Sequence, residues 1–228
     1  MNRPSPRVAL AISLAVVALT SLWQLATLST SQVVPEHFSE IVTRIAIDKV
    51  LVFSVLALLL WLEREGFAAL GVRREGWPKQ VGIGIAIGLL MFAVLNVALT
   101  AVLESIFPPP GATGRSVMVF FQDPKHLFAW LPIGIFGGGV VEELERIFIL
   151  TRFEKWLGRK GLVLGVALSS LTFGAGHLYQ GLGAALSTFV SGVVFSLVYL
   201  RRRSALETMT AHAASDVIAI LGATFMHQ

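Results

Sequence analysis

Six residues in the second half of a mostly apolar chain have the types and spacing of a hydrolytic site: Glu142, Glu143 and Arg146, then His177, then His212 and Asp216. A carboxylate beside an imidazole can polarise a water, with the acid as general base and the imidazole orienting the water or acting as acid. Arg146 follows Glu142 by four residues and Glu143 by three, so on a helix one guanidinium reaches either carboxylate. His212 and Asp216 stand one helical turn apart on one face. There Asp216 either fixes the imidazole tautomer or, protonated, donates to a developing oxyanion. Taken singly, each of these groups has a plainer reading as a buried ion pair or a hydrogen bond between helices. Two histidines together with the acidic cluster favour chemistry, because ionisable groups are costly in hydrocarbon and mark functional sites there.

The elements that must position these groups are membrane helices. Hydrophobic residues make up 55% of the 228 and charged residues 14%, against roughly 25% charged in soluble domains. Apolar runs predict helices at about 8–28, 45–62, 81–103, 127–151, 161–178, 183–200 and 205–225, each near the length a bilayer requires. The expected fold is all-α, a polytopic transmembrane bundle of about seven spans. It forms one membrane-embedded domain over residues 1–228, because nothing between the runs is long enough to fold alone. Pro108, Pro109, Pro110 and Gly111 break the chain after the third helix. The run from Val8 to Leu28 exceeds the roughly 7–15 apolar residues of a signal peptide, so it reads as a retained first helix. With no cysteine in the chain, thiolate catalysis and Cys-based zinc sites are excluded.

Lys and Arg set the expected orientation. Arg3 and Arg7, then Arg64, Arg73, Arg74 and Lys79, then Arg152, Lys155, Arg159 and Lys160, then Arg201, Arg202 and Arg203 fall on alternate loops, against only Arg44, Arg115 and Lys125 on the others. The N-terminus is expected in the cytoplasm. The net charge of +4 then reflects membrane orientation, and no nucleic-acid partner is expected. The expected location is an integral membrane protein of the bacterial plasma (inner) membrane, with the lipid bilayer and a membrane protein or peptide substrate as partners.

Depth supports convergence. Measured from the basic loop near residues 157–161, Glu142 and His177 lie at roughly 22 and 24 Å for a rise of 1.5 Å per residue. Counted from Ala205, His212 and Asp216 come out near 10 and about 17 Å, so the last helix must tilt or start deeper.

The sequence resembles the CAAX-processing and bacteriocin-processing intramembrane proteases, the CPBP or Abi family. Its members carry Glu-Glu-x-x-x-Arg, Phe-x-x-x-His and His-x-x-x-Asn/Asp on successive helices. Here Glu142-Glu143 with Arg146, Phe173 with His177, and His212 with Asp216 stand in that order, and the resemblance covers about 130–220. It implies an endopeptidase in which Glu142 and His177 activate water, His212 and Asp216 stabilise the oxyanion, and Glu143 and Arg146 support them. One departure is that the family's arginine follows the first glutamate by five residues, whereas position 147 here is Ile147. Either the arginine is displaced by one, which we favour, or Arg146 anchors the alignment and Val141 stands where the first glutamate should be.

The resemblance leaves metal dependence open between metal-free water activation and a single zinc ion held by Glu142, His177 and His212. Two other classes remain: a catalytically silent scaffold or bacteriocin-immunity protein of the same family, and a small proton-coupled transporter, although no internal repeat is found. Asp48 and Lys49, in the second apolar run, are expected to snorkel or pair internally. Asn96 and Gln24 are expected to hydrogen-bond between helices. Trp61, Trp77, Trp130 and Trp156 are expected at the interface, and His37, His126 and His227 in solvated or interfacial positions. Gly137, Gly138 and Gly139, just before the acidic cluster, are expected to serve close packing.

Overall fold

The computed structural model describes residues 4–26, 37–107 and 118–225. Arg3, the break at Pro108–Gly111, Arg115 and His227 lie outside the described residues. Within them the chain is helical, with seven long helices: α1 (Pro6–Ala26), α2 (Phe38–Leu62), α3 (Trp77–Ile106), α4 (Pro124–Leu157), α5 (Arg159–Gly176), α6 (Leu182–Arg202) and α7 (Ala205–Phe225). Among the described residues, α1, α2, α3, α4 and α6 are long and apolar enough to cross a membrane. The two that fall short, α5 and α7, carry His177 beyond the end of α5 and His212 with Asp216 inside α7. Arg159 and Lys160 open α5, and α7 holds Glu207 besides His212 and Asp216, which lowers the apolarity of both. The fold is the all-α polytopic bundle that the apolar runs predict.

Short connections keep the last four helices together. Gly158 joins α4 to α5, and Gly181 opens α6; both take positive φ, 60° and 106°, which residues with a Cβ seldom adopt. Ser204 starts α7 by accepting a hydrogen bond from the Glu207 N–H at 3.2 Å, as an N-cap Ser three residues before a Glu does. The Ala205 N–H donates to Gly71 O at 3.1 Å, and Ala205 is fully buried. Thus α7 begins against the turn at residues 67–71.

One end of the bundle is held by charge. Arg152, fully buried on α4, pairs with Glu63 and donates to Glu65 at 3.0 Å, and Lys155 reaches both acids. Arg203 grips Glu154 through two contacts of 2.6 and 2.8 Å. The basic loops after α2, after α4 and after α6 therefore meet at the same end, as the Lys/Arg pattern requires. The main apolar cluster lies just inward of this clamp, where Leu56, Leu60, Ile147, Phe148 and Tyr199 pack together.

Helices α3 and α4 each depart from α geometry. Residues Phe92–Leu99 and Ile133–Glu142 form π-helix, with one more residue per turn. In α3 the Leu95 carbonyl takes the Thr100 N–H, five residues on, and also accepts from Thr100 Oγ1 and from Ser187 Oγ of α6, both at 3.0 Å. Thr100 donates to Ser187 Oγ as well, at 2.9 Å, so these two residues make the interhelical bonds expected of Asn96, which is exposed instead. In α4 the π stretch follows Pro132, which offers no N–H to the helix. It also includes four weak helix formers, Gly134, Gly137, Gly138 and Gly139, that make widening cheap.

One further expectation is corrected. Trp130 is buried, not interfacial: it donates to Phe120 O at 3.1 Å and stacks on Phe121. His126 is half-buried and packs face to face on Phe38, with ring centroids 3.7 Å apart. Trp61, Trp77 and Trp156 are exposed as expected.

Candidate active site

The three glycines before the acidic pair act as seats. A Cβ on Gly139 would meet Ala213 Cβ at 2.6 Å and the Ala213 backbone at 3.0 Å, so α7 lies against α4 there with only the Ala213 methyl between. One on Gly138 would collide with the Asp216 carboxylate and come within 3.4 Å of His212 Nε2. One on Gly137 would face the Lys49 stem at 3.5 Å, an ordinary contact. The run therefore provides close packing, as expected, and also room for ionisable side chains from two other helices.

Glu142 and Glu143 follow at once. Successive residues on a helix point about 100° apart, so the two acids face different surroundings. Glu143 is fully buried, pairs with Arg146 three residues on, and accepts from His212 Nδ1 at 2.8 Å. A carboxylate paired with a guanidinium only accepts, so Nδ1 carries a proton and Nε2 is the nitrogen left for chemistry. His212 Nε2 lies 3.6 Å from Asp216 Oδ1 and 3.9 Å from Glu142 Oε2, both beyond hydrogen-bond range. The expectation that Asp216 fixes the His212 tautomer is thereby corrected, since Glu143 does so.

Glu142 lines a cavity of about 210 Å³ together with His177, Arg146, Lys49, Glu145 and Gln24. Its Oε1 lies 3.0 Å from Lys49 Nζ, which also contacts Asp48 at 3.2 Å. The expected pairing of Glu142 with Arg146 is not formed: Arg146 serves Glu143 and Lys49 serves Glu142. Sequence reasoning missed Lys49 as part of the site. The available signal was a lysine in mid-helix with no partner of opposite charge on its own helix except the adjacent Asp48.

His177 stands just past the end of α5, with Nδ1 2.8 Å from the Phe173 carbonyl. That oxygen can only accept, so Nδ1 donates and Nε2 is the basic nitrogen of a ring that lines the cavity. The Phe173 ring meets the rings of His177 and His212 edge-on, at 5.0 and 5.7 Å, and lies 4.4 Å beneath the Arg146 guanidinium. The Phe-x-x-x-His spacing thus places one aromatic wedge among three site residues and one backbone acceptor under the imidazole. Gln24 of α1 donates to Thr172 O at 2.9 Å and closes one wall, the interhelical bond expected of it.

The six residues read from the sequence therefore come together, on α4, α7 and the turn after α5. Among the described residues, no group of three or more His, Cys, Asp or Glu side chains stands arranged to hold a metal ion. Glu142, His177 and His212 each commit one atom, to Lys49, the Phe173 carbonyl and Glu143, and each keeps a second.

Residues 124–218 match the family model described as Type II CAAX prenyl endopeptidase Rce1-like. No curated protein and no solved structure matches the chain. The matched stretch begins with α4 and contains all six residues, so it agrees with the resemblance read from the three motifs. The matched family is one of CAAX-type proteases, and five apolar helices mark the chain as an integral membrane protein.

Proposed function

We propose that the protein is an intramembrane endopeptidase that hydrolyses a peptide bond of a membrane-associated protein or peptide, working from a bacterial plasma membrane. The observation that carries this reading is that Glu142 and His177 line one cavity inside the bundle, with His212 Nε2 3.9 Å from the free Glu142 oxygen. A water held between Glu142 and the basic nitrogen of His177 gives a proton to Glu142 as its oxygen bonds to the scissile carbonyl carbon. His212, doubly protonated, and Asp216, protonated, donate to the oxyanion that forms. Glu142 then passes the proton to the amide nitrogen as the carbon–nitrogen bond breaks. Glu143, itself paired with Arg146, accepts the Nδ1–H hydrogen bond of His212 and so fixes the ring with Nε2–H free to donate. No step runs through a metal.

Purified full-length protein in proteoliposomes, given prenylated peptides ending in a CAAX sequence and a panel of unprenylated membrane peptides, tests the reading. Turnover of one class, lost in Glu142→Gln and in His177→Ala, is the expected result. Full turnover by Glu142→Gln would remove the reading. A folded protein that binds these peptides and cleaves none would be the silent scaffold or immunity protein, which the displaced arginine favours.

A further inference from the structure

A lysine in mid-membrane is expensive unless it is paired, and Lys49 is paired with two acids, Asp48 on its own helix and Glu142 on α4. The second contact spans two helices and ends on a carboxylate that lines the cavity. Arg146 turns to Glu143, which leaves Glu142 without a partner on α4. Lys49 fills that place from α2, and Gly137 makes room for its stem.

We propose that Lys49 is a positioning residue for the water-activating carboxylate, holding Glu142 Oε1 so that Oε2 alone is presented toward His212 and the substrate carbonyl. This rests on the hydrolytic reading of the same site. Two cations from two helices thus hold two neighbouring acids. Loss of the ammonium frees the carboxylate to swing, and misplacement by about 1 Å costs on the order of 100-fold in rate.

Four variants of the full-length protein in proteoliposomes test this: Lys49→Met, Lys49→Arg, Glu142→Gln, and Lys49→Met combined with Glu142→Gln. Lys49→Met is expected to lower kcat by roughly 10- to 100-fold with KM within about twofold. Lys49→Arg should recover most of the loss, and the double variant should be no slower than Glu142→Gln alone. Unchanged kcat in Lys49→Met, or an effect confined to KM, overturns the proposal. Thermal melting of the same four proteins decides the matter without activity. The shift caused by Lys49→Met should shrink in the Glu142→Gln background, and additive shifts would show that Lys49 does not hold Glu142. Failure of the wild type to cleave anything would count against the hydrolytic reading, while the melting cycle still judges Lys49.

Discussion

Glu142 and Glu143 are neighbours in the chain and opposites in their surroundings. Glu142 is 19% exposed to the cavity and held by a lysine from another helix; Glu143 is 0% exposed and locked between Arg146 and His212. One acid faces space that a substrate and a water can enter. The other lies where loss of any partner strands a charge. Half a site can thus be built for reaction and half for rigidity by a single step along a helix.

Breaking the rigid half should have the largest effect. Glu143→Ala leaves Arg146 buried and unpaired, and removing one partner of a buried pair costs about 3–5 kcal/mol; the protein should melt far below wild type or fail to accumulate in membranes. Glu142→Ala leaves Lys49 with Asp48 as partner and should cost less in melting, with turnover down by about 10²- to 10⁴-fold. If both variants melted alike, the division between the two acids would be wrong.

The glycine seats sharpen the same contrast on a smaller scale. Gly139→Ala presses on the α7 backbone and should cost about 1–3 kcal/mol in thermal melting. Gly138→Ala displaces the end of a side chain, the Asp216 carboxylate, so turnover should fall by roughly tenfold or more with a smaller loss of stability. Gly137→Ala should be tolerated, within about 1 kcal/mol of wild type, since Lys49 lies at ordinary contact distance.

The smallest effect belongs to the clamp at the basic end. Burial alone would raise the Glu65 carboxyl, but the hydrogen bond from Lys155 and the charge of Arg152 outweigh it and hold it below its ordinary value. A carboxyl lowered on folding adds stability that is present above its unfolded pKa and lost as pH falls through its folded one. Melting temperature should therefore decline modestly below the ordinary carboxylate range, and Glu65→Gln should flatten that decline. A Glu65→Gln profile parallel to wild type would show that the loss comes from other acids.

Much of this was legible in the chain. Apolar run length fixed the helices, Lys/Arg asymmetry placed the basic loops at one end, and helical rise put Glu142 and His177 at one depth. Partners that meet across helices were not legible. The Lys49–Glu142 pair joins residues far apart in sequence, and nothing in the periodicity of α2 points to α4. The His212–Glu143 bond was hidden because Asp216, one turn away, offered a nearer explanation. Trp130 reads as a belt residue by its place at a helix end, yet its partners Phe120 and Phe121 lie on a short helix that no apolar run announces. The widened stretch of α4 escaped because π geometry leaves no simple repeat in the sequence.

The three adjacent seats have an evolutionary corollary. From glycine, every codon change adds atoms, so drift at these contacts of α4 with α2 and α7 can only crowd them. Selection or design for bulkier substrates must therefore work on the cavity lining itself, where Ile149, Thr172 and Gln24 still have volume to lose.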